Sequence, residues 1–244
     1  MKYKFSIATI AFNKRFSTCF VPLLEKIKIL DPDIEVIVGI NGNYGEEFDQ
    51  NFRRQVLEVC AKYDNVFPIS FPTFRGWAKI NNTMFLQASN EDILFLSDDV
   101  VIQNDNILNE VNANINGTIM TINNSFSHYI CNRKQLDSYG WFDERLIGFG
   151  EEDGDLIYRF IERGQNINNI YIRGIYDSGS QIASNYSKGV GKYSKFNRDW
   201  IFTNKYVPDS SGILGTFGSP HKRICDNIQQ YPTEKFYWNN RDKL

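Results

Sequence analysis

Six acids crowd residues 143–155: Asp143, Glu144, Glu151, Glu152, Asp153 and Asp155, interleaved with Gly148, Gly150 and Gly154. Directly after them Leu156, Ile157, Phe160 and Ile161 recur at helical spacing, and Gly164 stands where a helix C-terminal glycine belongs. The acids therefore lie in a glycine-permissive loop that runs into a helix N-terminus. Backbone N–H groups there favour ionised acids, and crowding of like charges opposes ionisation. A carboxylate held between those effects stays ionised and still accepts a proton from a hydroxyl. An ordinary surface helix with an acidic first turn has similar composition, so the order of the residues must decide between the two. A second acidic pair, Asp98 and Asp99, ends the apolar run that starts at Asp92. Ligands in open α/β sheets meet the carboxyl ends of strands; a solvated turn is the plain alternative for such a pair.

The elements that must position these acids read as alternating strands and helices. Residues 4–12 and 34–40 are continuous apolar runs rich in β-branched residues, and 66–72 and 92–100 are shorter ones. Helical spacing covers 18–30, with Pro22 in its first turn and Pro32 beyond its end, then 48–63 and 77–89. Apolar strands separated by helices predict a parallel sheet covered on both faces. Residues 103–118 read as helix and loop, 118–140 as a strand and a short helix at Arg133–Ser138, and 165–176 as one more strand. Residues 191–206 read as a late helix, and Asp209–Gly212 as a loop. The turn at 41–45 lacks the G-x-G-x-x-G pattern, so a dinucleotide site has little support.

The chain of 244 residues is long enough for one α/β domain with a sizeable core. A net charge of −2 argues against a general nucleic-acid binder. No apolar run approaches the ~20 residues of a membrane span. The basic and apolar N-terminus reads as a first strand rather than a signal peptide, because its apolar part is short and no small-residue cleavage site follows. Cys19, Cys60, Cys131 and Cys225 are too widely spaced for a zinc site or a disulfide framework; reduced thiols in a cytoplasmic protein are expected. With only His128 and His221 present, a multi-histidine metal site is excluded.

The stretch from Gly140 to Arg159 resembles the C-terminal catalytic segment of GT-A glycosyltransferases. Gly140, Phe142, Asp143, Glu144, Gly148, Gly150, Glu152, Asp153, Asp155, Leu156 and Arg159 fit that segment at its spacing. Within that fold it resembles the bacterial family 2-type inverting enzymes with a galactosyltransferase-like C-terminal segment. It implies an α/β, GT-A fold: a single domain with a mostly parallel central sheet flanked by helices, over residues 1–206. Residues 207–244 would then be a C-terminal extension on or near the acceptor side. Asp153 matches the family's base, which deprotonates the acceptor hydroxyl, with Glu152 and Trp141 meeting the acceptor. Asn13 and Arg15 after the first strand, Asn41 after the second, Asn82 (or Asn81) six residues beyond Gly76, and Asp98 match donor-contacting positions. The family's D-x-D motif aligns with Ser97-Asp98-Asp99, which puts Asp99 at the direct ligand of Mn²⁺ or Mg²⁺ and a serine where the first acid is usual. A histidine that follows a later strand in many relatives is Asp177 here. A carboxylate suits a hard ion, so Asp177 joins Asp99 as a metal candidate; the alternative is an Asp that opens a turn with Ser178 and Gly179.

The function implied is transfer of a sugar from a nucleotide sugar to a glycan or lipid-linked acceptor in polysaccharide biosynthesis. The expected location is cytoplasmic, with peripheral contact at the inner face of a membrane left open. Ser97 keeps a second reading alive, a GT-A-fold sugar-binding or scaffold protein with impaired catalysis. A sugar nucleotidyltransferase fits poorly, because residues 7–16 contain no glycine.

Overall fold

A computed structural model of the chain describes residues 2–41, 49–72, 74–178, 183–214 and 218–225, and gives the backbone alone for 183–192. Contacts divide the chain into two compact units. The first comprises residues 1–75, 84–134 and 168–183, and the second comprises 76–83, 135–167 and 184–244.

The first unit carries the sheet. Strand β1 (Phe5–Ala11) leads through a 3-10 turn at Asn13–Arg15 and a π-turn at Phe16–Phe20 into helix α1 (Val21–Leu30). Strand β2 (Val36–Ile40), helix α2 (Gln50–Cys60) and strand β3 (Val66–Ser70) follow. Asp49 caps α2 by accepting from the Asn51 and Phe52 N–H groups, which satisfies two donors the helix itself cannot. Helix α3 (Trp77–Gln87) leads to β4 (Asp92–Leu96), β5 (Val100–Ile102), α4 (Ile107–Asn114), β6 (Met120–Ile122) and β7 (Ser125–Asn132). Beyond the second unit's helices α5 (Arg133–Tyr139) and α6 (Glu152–Ile161), strands β8 (Asn168–Ile170) and β9 (Ile175–Asp177) return to the first. The seven-stranded sheet has the order β3-β2-β1-β4-β7-β6-β8, and only the β4–β7 and β6–β7 pairs are antiparallel. Its core joins Ile7, Val36, Val38, Leu94 and Leu96 to Leu24 and Ile27 of α1. Strands β5 and β9 form a separate antiparallel ribbon.

The second unit adds α7 (Ala183–Asn204) and an antiparallel hairpin of β10 (Tyr206–Leu214) and β11 (Pro220–Arg223) to α5 and α6. Leu146, Tyr158, Ile201 and Tyr206 form its core.

Three differences from the sequence reading have local causes. The single strand expected in 118–132 is the β6–β7 hairpin: Asn123 and Asn124 both take positive φ, 52° and 58°, as a tight hairpin turn requires. The strand expected over 165–176 is split into β8 and β9 by a turn through Gly174, at φ 78°. The loop expected at Asp209–Gly212 lies within β10, where the pairing with β11 shifts register between Pro208 and Ile213. The remaining tail, including Phe236, Tyr237 and Trp238, lies outside the described residues. No described helix is long and apolar enough to cross a membrane, and none of the four cysteines is disulfide-bonded.

Candidate active site

The strand-end candidates of the first unit come from the turns after β1 and β4. The 3-10 turn after β1 carries Arg15, and β4 ends one residue before Ser97-Asp98-Asp99. The guanidinium of Arg15 donates to Asp98 Oδ1 at 2.6 Å and to Asp99 Oδ2 at 2.5 Å. Both carboxylates are buried. Burial pushes the Asp98 carboxyl up to about 7, against the pull of Arg15 and with the charge of Asp99 adding to the rise. Asp98 Oδ2 and Asp99 Oδ1 have no hydrogen-bond partner among the described residues. Asp98, Asp99 and Ser178 line a cavity of about 230 Å³ with Thr18, Cys19 and Leu23.

The β5–β9 ribbon sets Asp177 opposite Val100, and Ser178 donates its N–H and hydroxyl to the Asp99 carbonyl at 3.0 and 2.7 Å. The Asp177 carboxylate is exposed and accepts from the Ser127 hydroxyl at 2.8 Å. Next to Ser127, His128 is buried in β7, level with the last residue of β4. Burial lowers its pKa, while the charges of Asp177 and Asp99 act in the other direction. Asn13 Oδ1 is buried without a partner among the described residues. The Asn41 carboxamide closes a ring with the Arg75 backbone, donating to its carbonyl at 2.9 Å and accepting from its N–H at 3.0 Å.

This strand end suits a hard cation in its donors. Two buried carboxyl groups face one guanidinium, and each keeps one unbonded oxygen. As placed, no three His, Cys, Asp or Glu side chains among the described residues stand close enough to hold an ion. Arg15 is the cation these acids hold in this structure.

In the second unit the backbone around the acid pair is unusual. Glu151, just before α6, has φ 78°, a conformation rare for a non-glycine residue and concentrated at functional sites. Its carboxylate is held by Ser194 and Arg198. Gly148 has φ 60°, and a Cβ there would stand 2.5 Å from the Tyr193 ring. The buried Glu152 accepts from the Gly150 N–H at 2.6 Å, while its Oε1 has no partner among the described residues. Burial pushes Glu152 up to about 8, and the neighbouring charges of Asp153 and Glu151 add to that against its backbone hydrogen bonds. Asp153 is half-buried and accepts from the Gly154 N–H at 2.8 Å. One acid is thus kept from ionising while its neighbour faces the helix N-terminus at partial exposure, an arrangement that lets two adjacent acids take different roles.

A buried charge network fixes this loop. Lys205 Nζ lies 2.9 Å from Asp143 Oδ2 and 2.7 Å from Asp155 Oδ1. Asp143 also pairs with Arg145, and Asp155 with Arg159 and the Tyr206 hydroxyl. Burial alone would raise the Asp143 carboxyl, but Arg145 and Lys205 outweigh it and bring it down to about 2. Asp155 is lowered in the same way, burial being overcome by Lys205 and Arg159. Arg159 donates to the carbonyls of Tyr139 and Gly140, which ties α6 to the start of the loop. The buried Asn197 of α7 accepts from the Ile147 N–H and donates to the carbonyls of Ile147 and Gly150.

The sequence model described as "Glycosyltransferase like family 2" matches residues 78–207, more than half of the chain. The chain belongs to this family. No curated protein sequence matches it. Its fold is similar to that of glucosyl-3-phosphoglycerate synthase from Mycobacterium tuberculosis, solved with Mn²⁺, UDP and glucosyl-3-phosphoglycerate. That likeness has a TM-score of 0.59 at 13% identity, over 96% of this chain and 92% of that one. TarS of S. aureus is similar at a TM-score of 0.54 and 19% identity, over 82% of this chain. The match spans only 40% of the length of TarS. The mannosyltransferase PcManGT of Pyrobaculum calidifontis, solved with GDP-Man and Mn²⁺, is similar at 0.52 and 14%, over 70% of this chain and 55% of that one. The fold is therefore GT-A, an α/β architecture with a mostly parallel central sheet.

Within this glycosyltransferase family member, the residues singled out from sequence fall into two groups. In the first unit, Arg15, Asp98 and Asp99 meet directly, and Asp177 is joined to that turn through Ser178 and Ser127; Asn13 and Asn41 stand at the ends of their strands. In the second unit, Glu152 and Asp153 stand at the start of α6. Asn82 donates to the Phe142 carbonyl at 2.8 Å and to Glu144 at 3.1 Å. Trp141 is 1% exposed, with its indole N–H on Asp137. Both therefore act on the segment that precedes the acid loop. Sequence reasoning missed Lys205, Asn197 and His128. The first two sit in residues 191–206, read as a late helix, and a lone Lys or Asn there carries no local sign of burial.

Proposed function

We propose that this chain is a glycosyltransferase that moves a sugar from a nucleoside-diphosphate sugar to a hydroxyl of a glycan or lipid-linked acceptor, with inversion at the anomeric carbon. The observation that carries the reading is the acid pair at the start of α6. Glu152 is buried, and Asp153 is half-exposed on a loop whose backbone is held in rare conformations. In this reading the acceptor oxygen bonds to the anomeric carbon, the bond from that carbon to the diphosphate breaks, and Asp153 takes the hydroxyl proton. Glu152 orients the acceptor, and Trp141 and Asn82 hold the loop. Asn13, Arg15, Asn41 and Asp98 serve the donor. Asp99, with Asp177, would hold Mn²⁺ or Mg²⁺, and the bound ion would offset charge on the leaving diphosphate. A lipid-linked acceptor would bring the chain to the inner face of a membrane, in polysaccharide assembly.

Thermal unfolding with UDP, GDP and their sugars, with and without Mn²⁺, tests the donor side. A ligand at 100 times its Kd raises stability by about 2.7 kcal/mol. A rise that needs Mn²⁺ and disappears in Asp99→Asn is expected; no rise with any nucleotide contradicts the reading. A second reading, a sugar-binding or scaffold protein without transfer, is favoured by Ser97 and by the hold of Arg15 on both acids. Release of free nucleoside diphosphate from a sugar nucleotide separates the two.

A further inference from the structure

One face of α7 grips the acid loop of the second unit. Residues four apart lie on the same side of a helix, and Tyr193, Ser194, Asn197 and Arg198 all meet residues 147–151. A Cβ on Gly148 would come within 2.5 Å of the Tyr193 ring, and one on Gly150 within 2.8 Å of Ser194 Cβ. Ser194 and Arg198 hold the Glu151 carboxylate at 3.0 and 2.9 Å. Asn197 does something else: it is 0% exposed, and its partners are backbone groups. Its oxygen accepts from the Ile147 N–H at 2.9 Å, and its amide donates to the Ile147 carbonyl at 2.9 Å and to the Gly150 carbonyl at 2.8 Å. A carboxamide has two N–H donors, and these two bonds match them.

The backbone between these bonds takes positive φ at Gly148 (60°) and Gly150 (108°), and Glu151 follows at 78°. Such conformations persist only where the surroundings over-determine them. Asn197 supplies that constraint from α7, and the Trp77 N–H adds a bond to the Gly148 carbonyl at 2.8 Å. The Gly150 N–H is thereby set on Glu152 Oε2 at 2.6 Å, while Glu152 Oε1 stays buried without a partner among the described residues. A buried polar atom left in that state calls for a ligand, a water or a catalytic role.

We propose that Asn197 is a positioning residue for sugar transfer: by fixing the backbone of residues 147–150 it sets the Gly150 N–H on one oxygen of Glu152 and leaves the other oxygen for the acceptor. The inference rests on the reading of Glu152 as the acid that orients the acceptor, and adds what orients Glu152. Asn197 touches no reacting atom and acts through Gly150. A misplacement of about 1 Å caused away from the chemistry costs about 10²-fold in rate, so loss of this hold should lower transfer by about tenfold or more.

The Gly150 amide reports the positioning without substrate. In the full chain labelled with ¹⁵N at glycine, its shift should follow the ionisation of Glu152, which burial pushes up to about 8, and Glu152→Gln identifies the signal by abolishing that response. Asn197→Asp keeps the size and the accepting oxygen but removes both donors; a folded Asn197→Asp chain should lose the Gly150 response. Transfer is then measured with UDP-GlcNAc, UDP-glucose and GDP-mannose as donors and octyl glycosides as acceptors, for Asn197→Asp, Glu152→Ala and the double variant. Asn197→Asp should lower transfer by about tenfold or more in the wild-type background and by less than about twofold in the Glu152→Ala background, because residues that act as one unit do not add. A Gly150 response unchanged in Asn197→Asp, or losses that multiply in the double variant, overturns the role of Asn197 and leaves the reading of Glu152 standing. If Glu152→Ala transfers at the wild-type rate, or the wild type does not transfer, both fall. If neither Asn197→Asp nor Asn197→Ser folds, Asn197 serves the fold alone and the proposal falls.

Discussion

Lys205→Met tests whether the charge network holds the acid loop. The lysine side chain is 3% exposed and stands between two carboxylates with no exposure at all. Removing one partner of a buried ion pair costs about 3–5 kcal/mol, because a charge is left buried without compensation. Asp143 keeps Arg145 and Asp155 keeps Arg159, so the lower end, about 3 kcal/mol at pH 7, is expected. Urea unfolding should show it as a midpoint lower by about 1 M or more, given slopes of about 1–3 kcal/mol per M. The pH dependence gives a second check. Asp143 is lowered from 3.8 to about 2 in the folded chain, so its contribution is present above pH 3.8 and is lost as pH falls toward 2. At about 1.4 kcal/mol per pH unit that contribution is about 2 kcal/mol. The deficit of Lys205→Met relative to wild type should therefore shrink below pH 4. A cost under about 1 kcal/mol at pH 7, or a cost constant between pH 5 and pH 2, would show that Lys205 does not hold the two carboxylates.

Two further outcomes follow from the same loop. The folded chain holds Glu152 protonated up to about pH 8, against an ordinary 4.5, so its favourable contribution is present below pH 4.5 and declines as pH rises through 8. Glu152→Gln should remove that part of the alkaline decline in unfolding stability, and should reduce acceptor use while slow donor hydrolysis survives; an unchanged stability profile between pH 5 and pH 9 speaks against the assignment. Gly148→Ala places a Cβ 2.5 Å from the Tyr193 ring at φ 60°, and strain at such a position is about 1–3 kcal/mol. A thermal unfolding midpoint within error of wild type would remove the steric argument.

The sheet was legible because its central strands are continuous apolar runs. The acid loop was legible because glycines and acids recur there at fixed spacing. What was hidden depends on partners distant in sequence. Asn123 and Asn124 turn one apolar run into a hairpin, and two asparagines in a polar stretch look the same whether or not they adopt positive φ. Lys205 is recognisable as a buried ion only once Asp143 and Asp155 converge on it across 62 and 50 residues of chain. His128 looks like an ordinary strand residue until its register with Leu96 brings it to the strand end. The family resemblance assigned Asn82 to the donor and Trp141 to the acceptor; what the structure adds is the loop carbonyl and the carboxylates their polar groups meet.

Sugar transfer with Asp153 as the proton acceptor is read from single-turnover rates. Nucleoside diphosphate release and sugar transfer are followed with a sugar-nucleotide donor and a hydroxyl acceptor, for wild type and for Asp153→Asn with unchanged thermal unfolding. Acceptor-dependent release by wild type and a rate at least about 10²-fold lower in Asp153→Asn are expected. A folded Asp153→Asn that transfers at close to the wild-type rate contradicts that role of Asp153.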